Sequence, residues 1–421
     1  MSKFIVQGNA KLSGSVIVSG AKNAALKIIA AAIMGDGAST IENVPNISDI
    51  RTLEDIIRST GAKVEVNGNS VSIDPTGVTK TELDPGLIKK LRGSIVLAGP
   101  MIGKFGSVTI AQPGGCLIGA RPIDSHLDVM RQFGIKVEEK NDSYILSGKP
   151  KGTDIILPEM SVTATENAIM TAVLAEGNST VSVANVEPEI GDLIDFLNNM
   201  GAKISGRDTH KLSIEGVDSL KGVNHRILPD RIEAGTFLCL AVASNSEITI
   251  VDVIPDHLSI VTKKLHDMGA NFSFEKSADG TFNIVTRKRG KLKSVDIDPR
   301  TYPGFPTDLQ SVYAVLSTQS GGPTRIFETL FESRFGYISE LKKMGANISI
   351  ESPHIVYIYG PEPLNGTDII SSDIRGGAAL VIASLIANGQ TTIDNVEFID
   401  RGYEKIEEKL NSLGARIERV A

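Results

Sequence analysis

The stretch Pro113-Gly114-Gly115-Cys116-Leu117-Ile118-Gly119-Ala120-Arg121-Pro122 sets one cysteine among three glycines, with an arginine five residues further on. A loop so poor in side chains lets a ligand come close to the backbone. A thiol beside a fixed positive charge is biased toward its reactive form. A small buried hydrophobe is the other reading of Cys116, because free cysteines are among the most buried residues. A second group of residues points to anions. Lys22, Arg92, Arg121, Arg334, Arg375 and Arg401 each stand where the pattern predicts the start of a helix. The helix dipole disfavours a cation there unless a bound anion compensates, so the six predict a distributed anion site. The Asp and Glu residues at the same starts are in part ordinary caps.

The elements that must position these residues come from an internal repeat. A helix ending in glycine and followed by a strand recurs at Gly61, Gly134, Gly201, Gly269, Gly345 and Gly414, about 70 residues apart. In each, Gly suits the left-handed position just past a helix. The first copy reads as a strand from Gly14 to Val18, a helix from Ala24 to Met34 and a strand from Ala38 to Asn43. A helix from Ile50 to Thr60 and strands Lys63–Val66 and Ser70–Ile73 complete it. Alternation of periods 2 and 3.6 thus predicts a βαβαββ unit per copy, in an α/β protein whose six units form two groups of three.

Bulk properties narrow the function. A chain of 421 residues predicts two or three domains. A net charge of −7 argues against a general nucleic-acid or anionic-membrane binder, so any positive charge for an anionic ligand must be local. Two cysteines make no disulfide framework and point to a reducing cytoplasm. The N-terminus lacks a signal-peptide apolar core, and runs such as Phe237–Ala243 are too short for a membrane span. Cys239, inside that run, reads as core. Dinucleotide-binding, P-loop, His-Glu-x-x-His and Cys-x-x-Cys signatures are missing, and six scattered histidines make no metal cluster. His126 could border a site, although a structural role fits it better.

Several phrases together resemble the enolpyruvyl transferase family, in its branch that uses UDP-N-acetylglucosamine. They are Ser19-Gly-Ala-Lys22-Asn23, Pro113-Gly-Gly-Cys116, Gly119-Ala-Arg121-Pro122, Glu187-Pro-Glu189, Leu228-Pro-Asp-Arg231-Ile-Glu-Ala-Gly235, Phe305-Pro-Thr-Asp308, Phe331-Glu-Ser-Arg334 and Asp400-Arg401-Gly402. The resemblance runs end to end. It implies two inside-out α/β barrels, each of three βαβαββ units, joined by a double crossover. Residues 21–229 would form one domain, and 1–20 with 230–421 the other.

The implied reaction moves the enolpyruvyl group of phosphoenolpyruvate onto the 3′-hydroxyl of UDP-N-acetylglucosamine, releasing phosphate, at the opening of peptidoglycan synthesis. It runs by addition and elimination through a tetrahedral ketal. By resemblance Cys116 is the acid and adduct-forming thiol, and Asp308 is the base. Lys22, Arg121 and Arg401 hold phosphoenolpyruvate, with Arg92 and Arg375 alongside. Asn23, Pro122, Ile123, Asp124, Ser125, Ser161, Val162, Leu330 and Phe331 match positions around the nucleotide sugar, and Arg334 a charged position close by. No metal or organic cofactor is implied, and no nucleic-acid or membrane partner. The alternatives are enolpyruvyl transfer to another acceptor such as shikimate 3-phosphate, and a non-catalytic regulatory paralogue. The first would lack the Pro-Gly-Gly-Cys loop, and the second would be expected to lose Cys116, Lys22 or Asp308. Some positions depart from the family pattern: Ser48 replaces a lysine of some members, Glu159 a basic residue and Thr163 a frequent glycine. Glu159 and Thr163 bear on nucleotide affinity rather than on the chemistry.

Overall fold

All six repeat glycines lie in the left-handed region, with φ of 107° at Gly61, 80° at Gly134, 111° at Gly201, 99° at Gly269, 97° at Gly345 and 98° at Gly414. A side chain there would strain the backbone, so the helix stops and the next strand begins at the same point of every copy. The computed structural model describes residues 2–114, 122–278 and 280–420. The described residues of Met1–Ser19 and Pro229–Ala421 form one compact unit, and those of Gly20–Cys116 and Arg121–Leu228 form another. The chain passes between them at Ser19–Gly20 and at Leu228–Pro229.

One copy shows the unit whole. Strand Asp154–Ile156 leads into helix Val162–Val173, strand Asn178–Ser182, helix Pro188–Met200 and the hairpin Lys203–Ser205 with Lys211–Glu215. Its sheet pairs the first two strands in parallel and the rest antiparallel. Each unit carries three sheets of this kind. The sheet Ser107–Ala111, Ser143–Ser147 and Lys136–Lys140 has three strands, with a single Glu82–Thr109 bridge where the others have a parallel strand.

The first copy's elements fall where the sequence pattern puts them, within two residues at each end, but its first strand does not join its own sheet. Ser13–Ile17 runs parallel to Glu247–Val253 in the other unit's sheet. Asn224–Arg226 takes the vacant place beside Ser39–Glu42. The two strands are exchanged where the chain crosses, a long-range pairing that local periodicity cannot encode. The N-terminal strand Lys3–Gln7 likewise fills the last copy's sheet, between Gln390–Asp394 and Ile417–Val420.

Helices lie inside and sheets outside within each unit. Every residue of helices Arg231–Ala243 and Gln310–Ser317 is buried, as expected of helices apolar on all sides. Strand Lys211–Glu215 instead alternates exposed and buried residues, the mark of a sheet with one solvated face. No helix among the described residues is long and apolar enough to cross a membrane.

The buried Asn167 amide links three elements of the unit formed by the described residues of Gly20–Cys116 and Arg121–Leu228. Its Oδ1 accepts from the Gly99 amide at 2.7 Å, and its Nδ2 donates to the Ile95 carbonyl at 3.0 Å and to His126 Nδ1 at 2.8 Å. That fixes the imidazole as the tautomer protonated at Nε2, which faces Thr163 Oγ1 at 3.1 Å. His126 is therefore a structural residue, orienting the helix that Asp124 opens. Asn167→Ala removes the side-chain acceptor of the Gly99 amide and one partner each from the Ile95 carbonyl and the His126 imidazole. It should lower stability by roughly 2–4 kcal/mol, read as a lower urea midpoint at unchanged slope.

Candidate active site

In the unit around Lys22, the sequence-identified residues gather at the beginnings of helices. Lys22 is the first residue of helix Lys22–Ala32, whose first turn contains no acid and whose cap residue Ala21 supplies no side-chain bond. Its ammonium is buried and meets Asp49 Oδ2 at 2.7 Å. Asp49 itself lies in the first turn of helix Ser48–Ser59. Arg92 opens the 3₁₀ segment Arg92–Leu97 and reaches the Pro113 carbonyl at 3.5 Å. Ser161 caps helix Val162–Val173 through the Ala164 amide, with Val162 as the first helical residue. Asp124 and Ser125 open helix Asp124–Gln132, preceded by exposed Pro122 and buried Ile123. Ser125 donates to Glu159 Oε1 at 2.8 Å. Asn23 is half-buried beside Lys22. Cys116 and Arg121 lie outside the described residues.

In the other unit a carboxylate is clamped by two guanidiniums. Asp308 sits on the 3₁₀ turn Thr307–Leu309. Its Oδ1 accepts from Arg334 Nη2 at 2.7 Å, and its Oδ2 faces Arg375 Nε and Nη2, each at 3.0 Å. Burial pushes the Asp308 carboxyl up, but the Arg375 and Arg334 charges outweigh it and hold the group far below the usual carboxylate range. Close packing fixes the turn. A Cβ at Gly235 would lie 2.4 Å from Leu309 Cδ1, so glycine there leaves room for the Leu309 side chain against helix Arg231–Ala243. Arg375 is the second residue of helix Ile374–Ile386, its amide held by Asp373 Oδ1 at 3.0 Å and its guanidinium 5.2 Å from the Tyr403 ring centre. Half-buried Arg401 ends the 3₁₀ segment Val396–Arg401.

The structure corrects the helix-start reading for Arg334 and Arg401. Arg334 precedes helix Ile338–Lys343 and Arg401 precedes helix Ile406–Ser412, so neither stands in a first turn. For Lys22, Arg334 and Arg375 the compensating charge is internal: Asp49 for the first, Asp308 for the other two.

Sequence reasoning missed Asp49 as the partner of Lys22, and it missed Glu328. Fully buried Glu328 accepts from Thr307 Oγ1 at 2.8 Å and from the Leu330 amide at 2.9 Å. It thereby ties the turn bearing Asp308 to the loop bearing Leu330 and Phe331. An acid three residues before Phe331 was the available signal, and nothing local marked its partners.

The model of the EPSP synthase (3-phosphoshikimate 1-carboxyvinyltransferase) family matches residues 6–410. A UDP-N-acetylglucosamine 1-carboxyvinyltransferase 2 of Carboxydothermus hydrogenoformans is 44% identical over 423 residues, covering 100% of both chains. The protein of that name in Bacillus subtilis is 42% identical over 420 residues, with 100% of this chain and 97% of the relative covered. Among solved structures, the enolpyruvyl transferase NikO from Streptomyces tendae superposes with a TM-score of 0.88 at 26% identity, covering 100% of this chain and 99% of the other. EPSP synthase from Acinetobacter baumannii shares the fold, with a TM-score of 0.76 at 18% identity and full coverage of both chains.

A buried acid and a buried amine face each other in the unit around Lys22. Glu166, fully enclosed in helix Val162–Val173, faces Lys27 Nζ of helix Lys22–Ala32 at 3.3 Å, and neither carboxylate oxygen has a hydrogen-bond partner among the described residues. Burial pushes the Glu166 carboxyl up to about 8, and Lys27 only partly offsets it. The native state then holds a proton that the unfolded state releases, between the ordinary value of 4.5 and about 8. Stability contributed by the protonated group is present at the acid end of that window and is lost as pH rises through it. Melting temperatures from about pH 5 to about pH 9 should therefore fall less for Glu166→Gln than for the parent, and an equal slope would refute the assignment.

Proposed function

The chain belongs to the EPSP synthase family, and within it we propose a UDP-N-acetylglucosamine 1-carboxyvinyltransferase. It transfers the enolpyruvyl group of phosphoenolpyruvate to the 3′-hydroxyl of UDP-N-acetylglucosamine and releases phosphate. The observation that carries this reading is the end-to-end match to relatives of that name at 42–44% identity. The fold is the family's two-unit α/β architecture, with helices inside and sheets outside in each unit. The same reading takes the enzyme to be cytoplasmic, in keeping with a chain of two cysteines.

In this reading the roles divide between the two clusters. Asp308 takes the proton of the acceptor hydroxyl as its oxygen bonds to C2 of the donor. Cys116 gives a proton to the methylene carbon, which becomes a methyl group. The resulting tetrahedral ketal then loses a methyl proton and expels phosphate, which restores the double bond. Lys22, Arg92, Arg121, Arg375 and Arg401 hold the donor's negative charges, and such fixed cations stabilise charge most effectively where water is excluded. Asn23, Pro122, Ile123, Asp124, Ser125, Ser161, Val162, Leu330 and Phe331 serve the nucleotide sugar, and Arg334 is a charged position close by. The Ser161 cap and the first-turn amides behind it suit a polar ligand, because helix N-termini present unpaired donors.

Phosphate release measured with each acceptor tests the substrate. Turnover with UDP-N-acetylglucosamine and none with shikimate 3-phosphate is expected, and the reverse would move the chain to the other activity of the family. The two cysteines allow a second test. Cys239 is fully buried and its thiol is pushed up to about 12 by burial, which leaves it inert at neutral pH. The phosphonate epoxide fosfomycin should therefore alkylate Cys116 alone, as read by peptide mass spectrometry. A label on Cys239 would remove Cys116 from its role.

A further inference from the structure

The residue assigned as base is held in a state that makes it a poor one. Its two oxygens are occupied by three N–H groups of Arg334 and Arg375 at 2.7–3.0 Å, and a carboxylate so paired accepts a proton with difficulty. We propose that Asp308 is the resident counter-ion of a carboxylate seat formed by Arg334 and Arg375, and that the substrate's own carboxylate must take the two guanidiniums from it before Asp308 acts as base. The proposal rests on the assignment of Asp308 as base and says what switches that base on.

Three observations favour exchange over a permanent salt bridge. First, the seat fits a carboxylate, because one already fills it with each oxygen in hydrogen-bond reach of a different arginine. Second, the exposure is one-sided. The Asp308 side chain is 28% exposed, against 5% for Arg334 and 6% for Arg375, so an incoming anion meets the carboxylate at the open edge.

Third, the two cations are anchored from several sides. Arg375 is anchored at its amide by Asp373 and at its carbonyl by Ser311 Oγ at 2.9 Å, and its guanidinium lies against Tyr403. Arg334 donates to the Thr307 carbonyl at 3.3 Å, and its guanidinium lies 5.9 Å from the Phe331 ring centre. Asp308 hangs from a three-residue turn.

Exchange changes the base in the useful direction. With the arginines engaged elsewhere, burial is the largest influence left on the Asp308 carboxyl, and burial raises its proton affinity. The acceptor hydroxyl proton then has a receptive site only when the donor is bound. No bond other than the O–H bond breaks in this step, and the proton ends on a carboxylate oxygen.

Calorimetric titration of the full chain and its Asp308→Asn variant tests the exchange. The probes are phospholactate, a saturated analogue bearing the donor's carboxylate and phosphate, and separately pyruvate and inorganic phosphate. The variant should bind phospholactate and pyruvate at least about tenfold more tightly, because no resident carboxylate has to leave, while phosphate affinity stays level. Equal or weaker carboxylate binding by folded variant overturns the proposal, and so does a gain confined to phosphate. Turnover separates the two assignments. An inactive variant without the affinity gain keeps the base and rejects the exchange, and a gain with turnover intact keeps the seat and rejects the base. A measurement on the parent chain covers the case of a variant that does not fold. Carbon NMR of labelled Asp308 should show its titration move upward on saturation with phospholactate, and an unmoved titration rejects the exchange.

Discussion

Buried positive charge is the constraint on which the rest of this structure depends. Lys22, Arg334 and Arg375 all lie within the protein, where an uncompensated cation costs several kcal/mol. Each is met by an acid from another part of the chain: Asp49 and, for both arginines, Asp308. Such pairs contribute little net stability beyond what an apolar pair would give, but breaking one is expensive. Their effect is positional. Lys22 fixes the start of one helix against the start of the next, and Lys27 with Glu166 fixes the same helix against the one that Ser161 caps. A further pair, Lys409 with Glu233 at 2.7 Å, also holds the Ser19 hydroxyl and amide. It secures the last residue before the chain leaves one unit for the other.

The same constraint decides how the protein can handle an anion. A cation left bare for the substrate would destabilise the empty enzyme, and one paired permanently would be useless to catalysis. A carboxylate at the solvent edge, set against arginines that cannot move, lies between those limits. Binding then involves displacement as well as attraction, so part of the donor's electrostatic gain goes into freeing Asp308. Placing that cost on the binding step favours a ligand whose carboxylate geometry matches the one displaced, and it disfavours a bulk anion of equal charge.

The architecture was legible in the chain because it repeats. Six glycines at one backbone conformation, with alternating periods between them, give the helices and hairpins of each copy, and the cations at Lys22, Arg92 and Arg375 stand at segment starts as the pattern puts them. What local pattern could not carry was partnership. Asp308 and Arg375 lie 67 residues apart, and no periodicity joins them. No local signal marks Glu166 as enclosed, yet it points into the core because its position one turn into its helix faces Lys27 on another helix. Arg334 and Arg401 were placed in first turns because charged residues cluster there, whereas irregular turns intervene before the helix begins. The exchange of Ser13–Ile17 and Asn224–Arg226 escaped for a related reason: parallel pairing across the chain leaves no local trace.

The departures from the family pattern show the same economy on a smaller scale. In sequence, Thr163 and Glu159 read as losses beside the nucleotide, one replacing glycine and the other a base. In the fold each has an internal partner. The Thr163 hydroxyl lies 3.1 Å from His126 Nε2, and Glu159 accepts from Ser125, both of them on the helix that Asp124 opens. Thr163 and Glu159 therefore tie that helix to the segment around Ser161. A threonine that replaces glycine also narrows the backbone conformations open to the residue after Val162. Both contacts thus join the helix start at Asp124 to the one at Ser161.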